Sequence, residues 1–369
     1  MTPSNRKKMI VAHSVRPDAP LHEVETNRAL ARWLAHLLGL KYGGSYNPQL
    51  HAGQDLYLVP TQTLVGPAQA RQLGVKGPED LWGGYVDYDF ICTKAISHGL
   101  LNKNAFAPEG WSPLFSERIR TVVLDGLSVF ALEDARPAAT HLLYTGPIRL
   151  KPVHACAGRD QEVIQSIDQF DTILARPGAA QLFTDGVVLE QDLHEVVTHS
   201  VGQSFIGDHV FSYCGEQYLT EDGEGADVYG GSNLLVVQGY YEDLLKLELP
   251  DDVRQAIEQA QVFDNAADEA YPGFYASRRN YDIVQGLDSN GQPRSGVLEQ
   301  SWRMGGASSA EVAALQAFIN NPGLRATRVS SVETYRDQPL PIDAIEVYRG
   351  PAQSSDFLLK YVTVNSYDG

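Results

Sequence analysis

The chain has 369 residues, 43% of them hydrophobic and 20% charged, which is enough apolar material for a core spread over two or three domains. Its formal net charge of −17 repels nucleic acid and anionic membrane surfaces, yet leaves room for a local basic pocket that holds an anion. No run approaches the roughly 20 apolar residues of a membrane span, and the widely spaced Cys92, Cys156 and Cys214 argue for reduced thiols rather than a disulfide framework or a zinc-thiolate site.

The basic start around Lys7 and Lys8 is followed by a short apolar run, 9–12, too brief for a secretory signal, so a cytoplasmic location is expected. Residues 8–13 predict a first strand. Residues 22–38 predict a helix, because Val24, Leu30, Trp33, Leu34, Leu37 and Leu38 recur at helical spacing and Gly39 is a natural stop. Residues 56–59 predict a second strand, ended by Pro60. Strand and helix alternating in this way predict a small α/β domain over residues 1–88. The aromatic-rich stretch 83–97 leads into a second region, 89–186. There, 137–143 predicts a short helix with Pro137 in its first turn, and 147–152 a buried strand carrying charge. The third region, 187–369, opens with a strand at 187–190. A hairpin follows, 200–205 and 209–213 around Gly207 and Asp208. The stretch 221–232, rich in Gly and Asp, predicts a loop, and 251–265 a helix. Residues 280–287 and 295–300 predict two strands joined by strong turn chemistry at 288–294. A helix over 309–319, capped by Ser308 or Ser309, precedes two strands within 342–364. The fold class is mixed, α/β and α+β.

Chemistry concentrates at the 280–303 hairpin. Period-two alternation puts Glu299, Ser301 and Arg303 on one face, and antiparallel pairing can bring Asp282 beside them. Two carboxylates and a hydroxyl suit an oxygen-ligated magnesium ion, and a neighbouring arginine suits a phosphate. The plain alternative is a solvated face with a surface salt bridge. Val297 and Leu298 argue instead for partial burial, where charges need partners. Lys151 ends the charged strand and precedes a small-residue loop containing Gly158, whose backbone N–H groups can wrap an anion. Alone, such a lysine is usually a snorkelling surface residue. The cluster 227–233 either contacts substrate or simply turns the chain, and the isolated His154 and His199 receive no role.

Glu299-x-Ser301-x-Arg303, preceded by a strand with Asp282, resembles the metal-binding hairpin of ATP-grasp enzymes, the superfamily of biotin carboxylase, D-alanine–D-alanine ligase and glutathione synthetase. Ser301 stands where that pattern usually has asparagine. Lys151 and its loop resemble the ATP-grasp lysine and the phosphate-covering loop. Residues 126–135 resemble the entry to the small subdomain, Lys94 within 90–98 the first lysine, and 186–193 the strand and hinge edging the adenine. These matches run in order from Phe90 to Phe318, and the whole chain resembles a family of uncharacterised bacterial proteins with a distant biotin-carboxylase-like character.

The resemblance implies an ATP-grasp fold with an N-terminal α/β domain, and ATP and Mg2+ as cofactors. Lys94 and Lys151 would hold phosphates under the loop of Gly158. Glu190 and Leu193 would lie at the adenine hinge and Glu195 at the ribose. Asp282, Glu299 and Ser301 would bind magnesium, and Arg303 would meet the developing charge. Arg278 or Arg279 could neutralise phosphates or a substrate carboxylate, the alternative being structural pairing with nearby acids, and Asn280, Gly305 and Gly306 are placed with them as candidate substrate contacts. The implied reaction activates a small-molecule carboxylate as an acylphosphate for capture by an amine or another nucleophile. The alternative is a nucleotide-binding regulator without catalysis, favoured by the single loop glycine and by Ser301. A homo-oligomer is left open.

Overall fold

Three parallel strands begin the chain: Met9–His13 lies between Lys41–Ser45 and Leu56–Pro60. The helix Leu21–Leu37 packs on them with Leu30, Ala31 and Leu34 fully buried, as its spacing predicts. The computed structural model describes residues 8–16, 18–155, 160–352 and 357–367. The strand Lys41–Ser45 is absent from the sequence reading because Gly43 and Gly44 dilute its β signal. The structure explains Gly43: a Cβ there would press on the side chains of Met9 and Val11 in the adjacent strand.

A second sheet of four strands has the order Gly126–Val129, Val187–Gln191, Ile148–Pro152, Glu162–Ile164. The strand expected to open the third region thus pairs inside this smaller sheet. The helix covering it spans Leu132–Leu143, so Pro137 sits inside the helix and not in its first turn. Proline there removes one intrahelical hydrogen bond. Burial of Ala135, Ala138, Ala139 and Leu142 against Ile148, Leu150 and Leu189 outweighs that loss.

The third sheet is antiparallel and has eight strands, in the order Pro293–Ser301, Arg278–Leu287, His194–Ile206, His209–Glu221, Asp227–Gln238, Ala326–Thr334, Phe357–Ser366, Ile345–Pro351. The expected loop over 221–232 is therefore mostly strand. Gly230 and Gly231 answer close approach between strands: a Cβ on Gly231 would strike the Ser331 carbonyl and the Tyr218 hydroxyl. The helix Asp251–Ala270 covers one face, burying Phe263 and Ile257 against Tyr281, Ile283 and Val297. The helix Ser308–Asn320 and the helix Leu21–Leu37 cover the other, around Leu234, Val236 and Val329. The helix Ser308–Asn320 has Ala307 at its N-cap with no side-chain cap. Ser308 does not cap it; its Oγ accepts the Gly305 N–H at 2.9 Å. Among the described residues, no helix is long and apolar enough to cross a membrane.

Candidate functional site

Hairpin register sets Asp282 directly opposite Glu299, and Asn280 opposite Ser301, on the face away from the helix Asp251–Ala270. A bulge separates the pairs Asp282–Glu299 and Ile283–Val297, leaving Leu298 as the extra residue. Leu298 packs against Leu193, Leu124 and Val284, an apolar patch between the hairpin and the end of the small sheet. Gln217 Nε2 donates to Asp282 Oδ1 at 2.7 Å. Burial, reinforced by the Glu299 charge, pushes the Asp282 carboxyl up to about 7. Lys94 Nζ lies 3.1 Å from Glu299 Oε2 and donates to the Ala155 carbonyl at 2.5 Å. Behind it, Gln300 Nε2 donates to the carbonyls of Ile91 and Thr93 at 2.7 and 2.8 Å, which ties the turn carrying Lys94 to the hairpin strand. Arg303 Nη1 donates to the Met304 carbonyl at 2.8 Å, and Arg303 pairs with no carboxylate among the described residues.

A second charged group sits on the small sheet. Lys151 and Glu190 project from adjacent strands and are ion-paired, and His98 Nε2 lies 3.1 Å from the other Glu190 oxygen. All three side chains are buried. Burial by itself would raise the Glu190 carboxyl; Lys151 and His98 more than offset it and hold it at about 2. Leu193 is buried just beyond. Glu195 is exposed, with a left-handed φ of 51° at the start of its long strand. Gly158 lies outside the described residues.

Arg278 and Arg279 both have carboxylate partners, the structural pairing weighed as the alternative to a substrate contact. Arg278 has no exposed side-chain surface, and its Nε and Nη2 donate to Glu311 Oε1 at 3.0 and 2.6 Å. Arg279 pairs with Asp264 and Asp268 at 2.6 and 2.8 Å and lies over the Phe274 ring. A substrate carboxylate would have to displace these partners, so neither guanidinium is presented to a ligand in this arrangement. Asn280 Nδ2 donates to Ser200 Oγ at 2.7 Å. Gly305 has an open Cα, whereas a Cβ on Gly306 would meet the Tyr229 ring. That ring belongs to the cluster 227–233, and its hydroxyl lies 2.7 Å from Ser232 Oγ and 3.3 Å from Ser331 Oγ.

The fold therefore draws Asp282, Glu299, Ser301 and Lys94 into one group, and Lys151 with Glu190 into another. Sequence reasoning assigned no role to Gln217, His98, Gln300 or Glu311. Only His98 carried a signal, its place four residues after Lys94. The carboxylate pair could take a divalent cation: two acids face each other in register, and a cation between them would relieve the like charge that, with burial, raises Asp282 to about 7, and would compete with the Lys94 ammonium for Glu299.

The raised Asp282 value has a testable consequence. The folded carboxyl titrates near 7 and the unfolded one near 3.8, so the folded state holds the extra proton between these limits and stability falls as pH rises through them. Asp282→Asn is expected to match wild type near pH 4 and to melt higher than wild type at pH 7.5 without added metal, by on the order of 2–5 °C. Thermal scans across that pH range check it; a gap independent of pH would refute the assignment.

Comparison with solved structures identifies this architecture. Phosphoribosylamine–glycine ligase from Thermotoga maritima superposes with a TM-score of 0.50 at 15% identity, over 97% of this chain and 93% of that one. The biotin carboxylase domain of 2-oxoglutarate carboxylase from Hydrogenobacter thermophilus, solved with MgADP, ADP and bicarbonate, gives 0.53 at 11% identity, over 98% and 86%. The likeness is one of fold. The expected ATP-grasp architecture, α/β and α+β with helices and several sheets, is the fold of this chain. No curated protein sequence matches it. A family model described as "Protein of unknown function (DUF3182)" matches residues 10–362.

Proposed function

The chain belongs to the DUF3182 family, and from its fold and its Asp282–Glu299 hairpin we propose that it is an ATP- and magnesium-dependent ligase that activates a substrate carboxylate as an acylphosphate. The observation that carries this reading is the in-register pair Asp282–Glu299 with the Lys94 ammonium at 3.1 Å from Glu299. Asp282 and Glu299, with the Ser301 hydroxyl, would hold magnesium, which supplies charge neutralisation for the phosphates when bound. Lys94 exchanges Glu299 for a phosphate oxygen, and Lys151 reaches the nucleotide from the small sheet. The backbone from Glu190 to Leu193 faces the adenine, whose apolar neighbours are Leu193 and Leu298. Glu195, exposed beyond the hinge, serves the ribose. Arg303, free of carboxylate partners among the described residues, meets the charge on the transferred phosphoryl group. An oxygen of the substrate carboxylate attacks the γ-phosphorus, the bond to the ADP oxygen breaks, and an amine or another nucleophile then displaces phosphate from the acyl carbon. The side chains position the reactants and stabilise charge, and no protein nucleophile is required.

One observation favours binding without turnover: Ser301 offers a short hydroxyl where the common pattern has an amide, and among the described residues that hydroxyl hydrogen-bonds just the Arg303 carbonyl, at 3.5 Å. ATP hydrolysis screened against amino acids, short peptides and simple carboxylates separates the two readings. Both require nucleotide binding. At 100 times its dissociation constant, Mg-ATP is expected to stabilise the fold by about 2.7 kcal/mol and to raise the melting temperature accordingly. Calorimetry showing no binding at millimolar Mg-ATP would remove both.

Lys151→Ala is expected to weaken ATP affinity by about tenfold or more, the loss of one charge-assisted phosphate contact. Because Glu190 is buried, the same change removes its main counter-charge and also lowers the melting temperature. Unchanged affinity beside lower stability would make Lys151 purely structural.

A further inference from the structure

Beyond the strand Pro293–Ser301 the backbone carrying Ser301 and Arg303 is gripped from two sides. On one side Trp302, fully buried, packs on Phe274 with ring centroids 4.2 Å apart and donates through Nε1 to the Tyr281 hydroxyl at 3.2 Å. On the other, Arg278 Nη1 donates to the Ser301 carbonyl at 3.2 Å and to the Arg303 carbonyl. The remaining Arg278 donors go to Glu311. Glu311 is fully buried in the helix Ser308–Asn320, and it also accepts from Tyr213 at 3.0 Å and from Ser204 at 2.6 Å. Ser204 Oγ in turn accepts from Trp82 Nε1 at 3.3 Å, so the N-terminal region joins the same junction.

We propose that Arg278, held by Glu311, is a positioning residue: it fixes the path of residues 301–303 and so aims Ser301 and Arg303 beside the Asp282–Glu299 pair. The proposal rests on the reading of that pair as the magnesium site. Fold stability alone is a poor reason for such a junction, because a buried ion pair is often no more stabilising than apolar residues of similar volume. What distinguishes this one is where its spare donor goes. Arg278 uses its planar fork to serve Glu311 and two alternate carbonyls of one segment at once. A lysine ammonium offers no such fork. The geometry also explains why Arg278 is withdrawn from solvent although it lies two residues before Asn280 and four before Asp282 on the same strand face.

The test compares wild type with Arg278→Lys, Glu311→Gln, Glu299→Gln and Leu315→Ala. The last truncates a fully buried residue of the same helix that takes no part in the junction. ADP binding is measured by calorimetry with and without magnesium, below the unfolding temperature of every variant. Arg278→Lys is expected to lose about tenfold or more of the magnesium-dependent gain in ADP affinity, the scale of outer partners of metal ligands. Its magnesium-free ADP affinity should stay within about twofold of wild type, since that relies on the lysines and hinge. Leu315→Ala should melt lower yet keep both affinities. If Arg278→Lys does not fold, Glu311→Gln, which loosens the hold on Arg278, must show the same selective loss. Magnesium-free and magnesium-dependent binding falling together, or neither changing, would overturn the positioning role while Glu299→Gln still abolished the magnesium effect. A wild-type protein with no magnesium effect on ADP would instead overturn the magnesium site and this proposal with it.

Discussion

Glu299→Gln is expected to cut magnesium-dependent ATP turnover by about 10²-fold or more, equivalent to about 2.7 kcal/mol or more of lost transition-state stabilisation. The substitution keeps the side-chain volume, and the strand around Glu299 stays paired with the Asp282 strand. What disappears is one of two opposed carboxylates, and with it a hard anionic ligand for the ion. Lys94 loses the partner it now has at 3.1 Å, but keeps its bond to the Ala155 carbonyl. Nucleotide affinity without magnesium should therefore change little. The substitution also relieves Asp282 of the like charge that helps to raise its carboxyl, so Asp282 in the variant should titrate below about 7. Ser301→Asn makes a complementary case. It replaces a hydroxyl whose hydrogen bond, to the Arg303 carbonyl, is 3.5 Å long with an amide oxygen of longer reach. It should be tolerated or should tighten magnesium binding. The measurement is magnesium-dependent turnover with an identified substrate, or magnesium-dependent nucleotide binding, across wild type and the two variants. An unchanged magnesium profile in Glu299→Gln would place the metal away from this hairpin.

The largest loss of stability is expected from Glu311→Ala, about 3–5 kcal/mol by equilibrium denaturation. Arg278 would keep its charge with no exposed surface, and the Tyr213 and Ser204 hydroxyls would lose their acceptor together. The truncation also opens space among Ala310, Leu315 and the sheet face. Replacing both partners, as Arg278→Met with Glu311→Leu, should recover most of that loss, because the unpaired charge goes with the pair. The positioning role argued above predicts that this double variant folds well yet loses magnesium-dependent binding. A single-variant loss within about 1 kcal/mol would mean that water or local opening solvates Arg278, contrary to its burial.

Local pattern carried much of the architecture. The first strand, the helix Leu21–Leu37, the start of the helix Asp251–Ala270 and the 280–300 hairpin follow from periodicity and turn chemistry that act over a few residues. Asp282 and Glu299 share that advantage, because a single hairpin joins them and two-residue alternation decides which face they take. Lys151 and Glu190 each fall on a predicted strand, but the sequence reading divided those strands between two regions, and it is the four-stranded sheet that makes them neighbours.

Where a requirement came from distant chain, the residues misled. Gly230 and Gly231 look like loop glycines; they are strand residues kept small by Thr220, Tyr218 and Ser331. Pro137 looks like a helix start and sits inside a helix that burial sustains. Arg278 and Arg279 are adjacent and chemically alike, yet strand alternation sends them to opposite faces of the sheet, one to Glu311 in the helix Ser308–Asn320 and the other to Asp264 and Asp268 in the helix Asp251–Ala270. Gln217 reaches Asp282 across 65 residues, and His98 reaches Glu190 across 92. Composition, periodicity and turn chemistry by themselves determined a mixed α/β protein with a two-carboxylate hairpin and a strand-end lysine, because each depends on neighbours in sequence. Only the tertiary structure decided which charges are spent on one another and which remain for a ligand, because pairing and desolvation depend on what packs around a group and not on where it stands in the chain.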